Sequence, residues 1–115
     1  MTNPTRGEVW RVQFDPKVGQ EIQKTRPAIV VGVDEIGRTG LRIVVPVMHW
    51  DDKYDSILWF TYLAPSKNNG LEKESAADSS QVKSVSVERF DEKIGVLDAD
   101  QIHEITSAVA LCIGF

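Results

Sequence analysis

Hydrophobic and polar residues alternate along the first structured segment, residues 8–14. Trp10, Val12 and Phe14 share one face of this segment, and Arg11 and Gln13 share the other, as in a half-buried β-strand. Segments rich in β-branched or aromatic residues, or with the same alternation, predict further strands at 28–33, 42–47, 56–63, 81–87 and 94–96. Pro46 implies an edge or a bend near the end of the third strand. Residues 71–80 are polar, and their pattern assigns no element.

The end of the chain has the pattern of an amphipathic helix. Asp98, followed three residues later by Gln101, forms a capping-box arrangement. A hydrophobic stripe at helical spacing follows, and its members are Ile102, Ile105, Val109, Cys112 and Ile113. Short consecutive strands without interleaved helices predict a mainly β (α+β) fold, a small antiparallel β-barrel closed by this C-terminal helix.

Length and charge limit the possibilities further. The 115 residues are enough for one domain, predicted to span 1–115, and the net charge is −4. Residues 1–50 carry seven Lys and Arg against five Asp and Glu, whereas residues 51–115 carry six against twelve. A surface for nucleic acid should therefore draw on the first half of the chain.

Cysteine and histidine are too few for several kinds of site. The chain has one cysteine and two histidines, which excludes an intrachain disulfide and a Cys/His metal cluster. We therefore predict no metal and no cofactor. No segment has the pattern of a signal peptide or a membrane span, so the cytoplasm is the expected compartment and no membrane partner is expected.

Residues 15–25 form a long polar loop that leads to Arg26 and Pro27. Proline restricts the residue before it to extended geometry, so Arg26 is expected at the mouth of a strand. A guanidinium held there is suited to binding a phosphate. The alternative is an arginine that caps the strand and pairs with a surface carboxylate.

Six short motifs, in order, resemble the MazF/PemK toxins. They are RGEVW (6–10), FDP (14–16), GQE (19–21), RPAIVV (26–31), VP (45–46) and DSSQVKS (78–84). The resemblance implies an SH3-like barrel of the CcdB/MazF type. It also implies a homodimeric, metal-independent endoribonuclease that cuts single-stranded mRNA at short sequences. A cognate MazE/PemI-like antitoxin would cover the RNA groove, and the pair would bind DNA.

The same resemblance assigns roles to residues near the loop. Arg26 would stabilise the charge of the phosphorane formed when the ribose 2′-hydroxyl attacks phosphorus, leaving 2′,3′-cyclic phosphate and 5′-hydroxyl ends. Glu21 would be the base or would orient Arg26, and an exposed loop carboxylate is the alternative. Other residues that could contact RNA are Gln20, Gln23, Lys24, Thr25, Met48, Trp50, Gln81 and Lys83.

The chain departs from the family at Met48, where most members have Thr or Ser. A thioether donates no hydrogen bond, so the chain could be a weakened nuclease. His49 is a candidate substitute, because imidazole groups exchange protons near neutral pH. Met48 could instead simply fill the core. Two other functions remain open: an RNA-binding protein without turnover and, with less support, a gyrase-poisoning toxin of the same fold.

Overall fold

Seven strands form one curved antiparallel sheet in the computed structural model, which describes residues 2–16 and 18–115. The strands are β1 (Glu8–Gln13), β2 (Thr25–Val30), β3 (Leu41–His49), β4 (Phe60–Leu63), β5 (Ser75–Asp78), β6 (Lys83–Ser86) and β7 (Phe90–Val96). Short 3₁₀ helices lie at Asp34–Arg38, Asp52–Ser56, Ser79–Gln81 and Val87–Arg89, and helix α1 spans Ala99–Cys112. The strand order is β4-β5-β3-β2-β1-β7, with β6 also paired to β3.

Strand β3 joins the two parts of the sheet because it changes partner along its length. Residues 41–44 pair with β6, and residues 47–49 pair with β5. Pro46 lies between these two segments. On the side of β3 that faces β5 and β6, residue 46 pairs with neither strand, so its missing N–H breaks no ladder hydrogen bond. The predicted edge or bend at Pro46 is therefore found, although the residue itself is buried.

The strand predictions are confirmed for β1, β2, β3, β6 and β7, with shifted ends. β2 begins three residues earlier than predicted, because Thr25, Arg26 and Pro27 continue the ladder with β1. The prediction for 56–63 is wrong in its first half, because Ser56 ends the 3₁₀ helix Asp52–Ser56 and residues 57–59 connect it to β4 by a turn. Strand β5 was left unassigned; it is fully buried, so its residues show no alternation.

The core consists of two clusters on opposite faces of the sheet. The helix-side cluster packs under α1 and includes Val9, Ile29, Val45, Val47, Leu63 and Ile105. The loop-side cluster includes Val12, Phe14, Ile22, Ala28, Val30, Val44, Val85 and Phe90. Ile22 therefore ties the long loop, residues 14–24 between β1 and β2, to the core. Lys17 of this loop lies outside the described residues.

Helix α1 begins as predicted, with both hydrogen bonds of the capping box between Asp98 and Gln101 present. Its residues Ile102 and Ile105 are buried and belong to the helix-side cluster. The predicted stripe is wrong at its end, where Cys112 and Ile113 are exposed, since Cys112 is the last residue of α1 and Ile113 is its C-cap. No helix in the described part of the chain is long and apolar enough to cross a bilayer.

Candidate RNA-binding groove

A groove of about 320 Å³ opens where the ends of β1, β2 and β3 meet the segment before β5. Its walls are formed by Arg11, Thr25, Arg26, Pro27, Val47, Met48, His49, Gly70, Leu71, Glu72, Lys73, Ser75 and Ile94. Three permanent cations line it, against the single carboxylate of Glu72. The groove is therefore suited to a phosphodiester.

Arg26 is held by strand geometry at the edge of this groove. It pairs with Val12 of β1 and is half-buried. Its Nε donates a 3.4 Å hydrogen bond to the carbonyl of Gln23. No carboxylate of the described residues lies within 4.0 Å of its guanidinium, so most of its donors are available to an anion. The alternative of an arginine paired with a surface carboxylate is thus not what the structure shows.

Met48 and His49 form the end of β3 beside Arg26. The ladder between β2 and β3 ends at the pair Ala28 and Pro46, and beyond it Arg26 and Met48 line the same groove. Met48 is half-buried, and its Sδ accepts a 3.7 Å hydrogen bond from the Tyr54 hydroxyl. Met48 therefore packs against the loop-side cluster and also lines the groove. Its thioether offers no hydrogen-bond donor to a ligand.

The His49 side chain is exposed and lines the groove. The described residues provide no hydrogen-bond partner for its ring, which leaves both ring nitrogens free for a ligand. Of the catalytic candidates, the structure thus brings Arg26 and His49 into one groove.

Glu21 lies in the loop and does not line the groove. Its Oε1 accepts a 2.9 Å hydrogen bond from the Val18 backbone N–H. The hydrogen bonds of the described residues join Glu21 to Val18 and not to Arg26, and a role of Glu21 in the reaction stays a prediction. Gln20 and Lys24 are exposed and Gln23 is half-buried, and these three also lie outside the groove lining. Thr25 is the loop-end candidate that lines it.

The remaining candidates lie outside the groove lining. Trp50 packs edge-on against Tyr54 and Tyr62, with ring centroids 5.9 Å and 5.1 Å away. Lys83 lies over Phe14, its Nζ 6.0 Å from the ring centroid. Gln81 has its amide engaged at both ends: its Nε2 donates to Asp78 and its Oε1 accepts from the Ile22 N–H. RNA contacts by these side chains stay predictions.

Arg11 and Lys73 line the groove but were not candidates from the sequence. The alternation of β1 does place Arg11 on the polar face, although nothing in the pattern connects it with Arg26. Arg11 Nε lies 2.9 Å from a carboxylate oxygen of Glu92, an exposed ion pair. Lys73 belongs to the segment that the sequence left unassigned.

Two glycines set the wall of the groove beside β7. Gly70 has φ +70°, and a Cβ there would lie 1.9 Å from the Ile94 carbonyl oxygen. A Cβ on Gly95 would lie 2.4 Å from the Asn68 carbonyl oxygen. Only residues without a side chain allow these backbones to approach so closely. The buried Asn69 completes the turn by accepting hydrogen bonds from the Ser66 and Leu71 N–H groups.

The described residues contain no group of three or more His, Cys, Asp or Glu side chains placed to hold a metal ion.

Comparison with known proteins agrees with this arrangement. Residues 5–113 match the family model described as PemK-like, MazF-like toxin of type II toxin-antitoxin system. Endoribonuclease MazF9 of Mycobacterium tuberculosis is 30% identical over 109 residues, which cover 92% of each chain. Endoribonuclease PemK of Escherichia coli is 49% identical over 43 residues, 36% of this chain and 32% of that protein.

Solved structures show the same fold. MazF from Deinococcus radiodurans superposes with a TM-score of 0.83 at 22% identity, with all of both chains covered. A mycobacterial endoribonuclease in complex with its cognate antitoxin gives 0.77 at 17% identity, covering 97% of this chain and 96% of that one. The predicted barrel with a C-terminal helix is confirmed. From the match over nearly its whole length, the chain belongs to the PemK-like, MazF-like toxin family of type II toxin-antitoxin systems.

Proposed function

We propose that this toxin is an endoribonuclease that cuts single-stranded RNA without a metal ion. The observation that carries the proposal is the guanidinium of Arg26, fixed at the rim of a cationic groove and free of any described carboxylate within 4.0 Å. The relative MazF9, with which the chain aligns over 92% of its length, is itself named an endoribonuclease.

The reaction uses a nucleophile that the substrate already contains. The 2′-hydroxyl oxygen attacks the adjacent phosphorus while its proton passes to a base. The bond from phosphorus to the 5′-oxygen then breaks, and the leaving oxygen takes up a proton. The products are a 2′,3′-cyclic phosphate and a 5′-hydroxyl, so neither an oxidant nor a metal-bound water is required.

Arg26 would bind the equatorial oxygens of the phosphorane, whose charge exceeds that of the substrate phosphate. His49 would accept the proton of the 2′-hydroxyl, because its exposed imidazole lines the same groove as Arg26 and has no hydrogen-bond partner among the described residues. Arg11 and Lys73 would neutralise the phosphates on either side, which gives binding that weakens with added salt.

The partners follow from the family. A mycobacterial neighbour was solved with its cognate antitoxin, and a MazE-MazF structure is known from Deinococcus radiodurans. We expect this chain to act as a homodimer in the cytoplasm and to be neutralised by an antitoxin segment lying over the groove.

An RNA-binding protein without turnover is the second candidate, and Met48 favours it. Its thioether lines the same groove as Arg26, where a hydroxyl would donate to the scissile phosphate. Losing one such donor costs roughly a hundredfold to a thousandfold in rate.

The test is incubation of the purified chain with a long mixed single-stranded RNA, with and without a chelator. We expect discrete cuts with cyclic-phosphate ends in both samples, and a rate reduced roughly a hundredfold to a thousandfold by Arg26→Ala. Arg38→Ala is the matched control, because Arg38 is exposed and lies outside this groove. Chelator-sensitive cleavage would contradict the mechanism, and retention of RNA without cleavage would support the second candidate.

A further inference from the structure

A chain of hydrogen bonds runs from the end of β5 to Arg26. The buried carboxylate of Asp78 accepts from Gln81 Nε2 at 3.0 Å. Gln81 Oε1 accepts from the Ile22 backbone N–H at 2.6 Å. The next residue along the loop, Gln23, accepts from Arg26 Nε through its carbonyl at 3.4 Å. Three hydrogen bonds and the backbone from Ile22 to Gln23 thus join the end of β5 to the side chain that lines the groove.

We propose that Asp78 and Gln81 are positioning residues for Arg26, which they hold through the backbone between the Ile22 N–H and the Gln23 carbonyl. The inference deepens the proposed nuclease function and rests on it. Gln81 then acts from behind the loop, with no contact to RNA.

The direction of each hydrogen bond, from donor to acceptor, explains why these residue types are needed. A carboxylate only accepts and a backbone N–H only donates, so the amide of Gln81 satisfies both in one orientation alone. Asp78 is itself fixed, because its Oδ1 accepts from the N–H and the hydroxyl of Ser80 at 3.1 Å and 2.6 Å. With Asp78 only 4% exposed, water cannot easily replace these partners.

Ile22 is the point at which the loop is held to the core. Its side chain is buried in the loop-side cluster, while Val18 at the loop tip is 75% exposed. The loop base is held separately, since Phe14 N–H donates to the Lys24 carbonyl at 2.9 Å. The Gln23 carbonyl shares its peptide with the Lys24 N–H, which donates to Asp15 Oδ1 at 2.8 Å. Loss of the Gln81 bond should therefore free the Ile22 side of this peptide, leave it held through Asp15 alone and loosen its carbonyl against Arg26, while the base stays closed.

The experiment compares Gln81→Met with Gln101→Met in the full chain. Methionine keeps the length of glutamine and removes both hydrogen bonds. Gln101 is the matched control, because its Oε1 also accepts one backbone N–H, that of Asp98 at 3.1 Å, and it lies outside the groove lining. Asp78→Asn is a second variant with the same side-chain shape. Its NH₂ group replaces one carboxylate oxygen, so two hydrogen-bond donors must face each other at Ser80, at Gln81 or at Ile22.

For Gln81→Met, we expect roughly tenfold faster exchange of the Ile22 amide hydrogen, the change that one lost hydrogen bond of ordinary strength produces. We also expect kcat to fall by about tenfold with KM changed less than about twofold, since a displaced catalytic group acts in the transition state. Asp78→Asn should change both quantities in the same direction, and Gln101→Met should change neither.

A rise in KM alone would overturn the proposal, because it would indicate direct contact of Gln81 with RNA. An equal loss of kcat in Gln101→Met would also overturn it, as would wild-type protection of Ile22 in Gln81→Met. If the wild-type chain cleaves no RNA, the proposed function fails. Exchange of the Ile22 N–H and the Arg26 Nε–H then decides the positioning proposal alone: faster exchange of both in Gln81→Met supports it, and unchanged exchange overturns it.

Discussion

Glu21 accepts a hydrogen bond from the backbone N–H of Val18 at 2.9 Å, and Val18 in turn accepts from the Glu21 N–H at 3.2 Å through its carbonyl. The two residues close the loop tip on itself. The carboxylate is thereby committed to loop folding, so we assign the base of the reaction to His49.

We expect Glu21→Gln to keep kcat/KM within about threefold of wild type, because the amide oxygen can still accept from Val18. Glu21→Ala should reduce it further by loosening the tip. Steady-state cleavage of one labelled RNA measures both. A general base contributes typically a hundredfold or more, so a loss of that size in Glu21→Gln would return the role to Glu21.

We expect His49→Ala to lower kcat more than Met48→Ala does. The imidazole is free in the groove, whereas the Met48 thioether contributes packing and a weak contact with Tyr54. The loss for His49→Ala should be roughly a hundredfold, measured as single-turnover cleavage. His103→Ala, an exposed histidine on α1, is the control for loss of an imidazole. The reverse ranking of the two groove variants would remove His49 from the mechanism.

Met48→Thr should increase the cleavage rate. It places a hydroxyl in the groove that Arg26 lines, where the scissile phosphate is expected, and donors in such sites contribute up to about a hundredfold to a thousandfold. The same change removes apolar contacts at the edge of the loop-side cluster, which should lower the free energy of unfolding by roughly 1 kcal/mol. Met48→Val supplies the control, since it has a similar shape to threonine without a hydroxyl. Equal rates for the two variants would show that the hydroxyl is not used.

The sequence was enough to predict the elements whose pattern is local. Alternation placed β1, and the pairing of Asp98 with Gln101 placed the start of α1. Strand β5 was missed because Ala76 and Ala77 are small and buried on both faces, so neither alternation nor bulk distinguishes them. The end of the stripe on α1 was assigned to the core because periodicity does not show where the helix ends.

The site divides in the same way. The position of Arg26 could be predicted because it opens a matched motif at the mouth of a strand, and Met48 and His49 could be predicted because they follow the VP motif at a strand end. Lys73 could not, since closure of the barrel brings it to the groove from a segment without a pattern. Gln81 is a predicted RNA contact through its matched motif. Its bond to Ile22 could not be predicted, because it spans 59 positions, a separation that no local pattern reveals.

Glu8 lies on β1 between a cation and two N–H donors. Its carboxylate accepts from the Thr5 N–H at 2.8 Å and the Trp10 indole at 3.0 Å, and Lys93 Nζ lies 2.9 Å away. Partial burial raises the pKa of Glu8, but the hydrogen bonds and the charge of Lys93 outweigh it, so its pKa lies below the ordinary value of 4.5. The folded state thus favours the ionised form.

Stability should therefore fall in acid through Glu8. A carboxyl whose pKa is lowered by folding contributes its full stabilisation above pH 4.5 and loses it as the pH drops through the folded-state pKa. We expect Glu8→Gln to be less stable than wild type at neutral pH, and the difference in unfolding free energy to shrink as the pH falls below 4.5, measured by denaturant unfolding. Glu92→Gln, which removes an exposed partner of Arg11, should be nearly neutral throughout. A Glu8→Gln difference that stays constant across this range would show that the side chain acts through packing, because packing does not titrate.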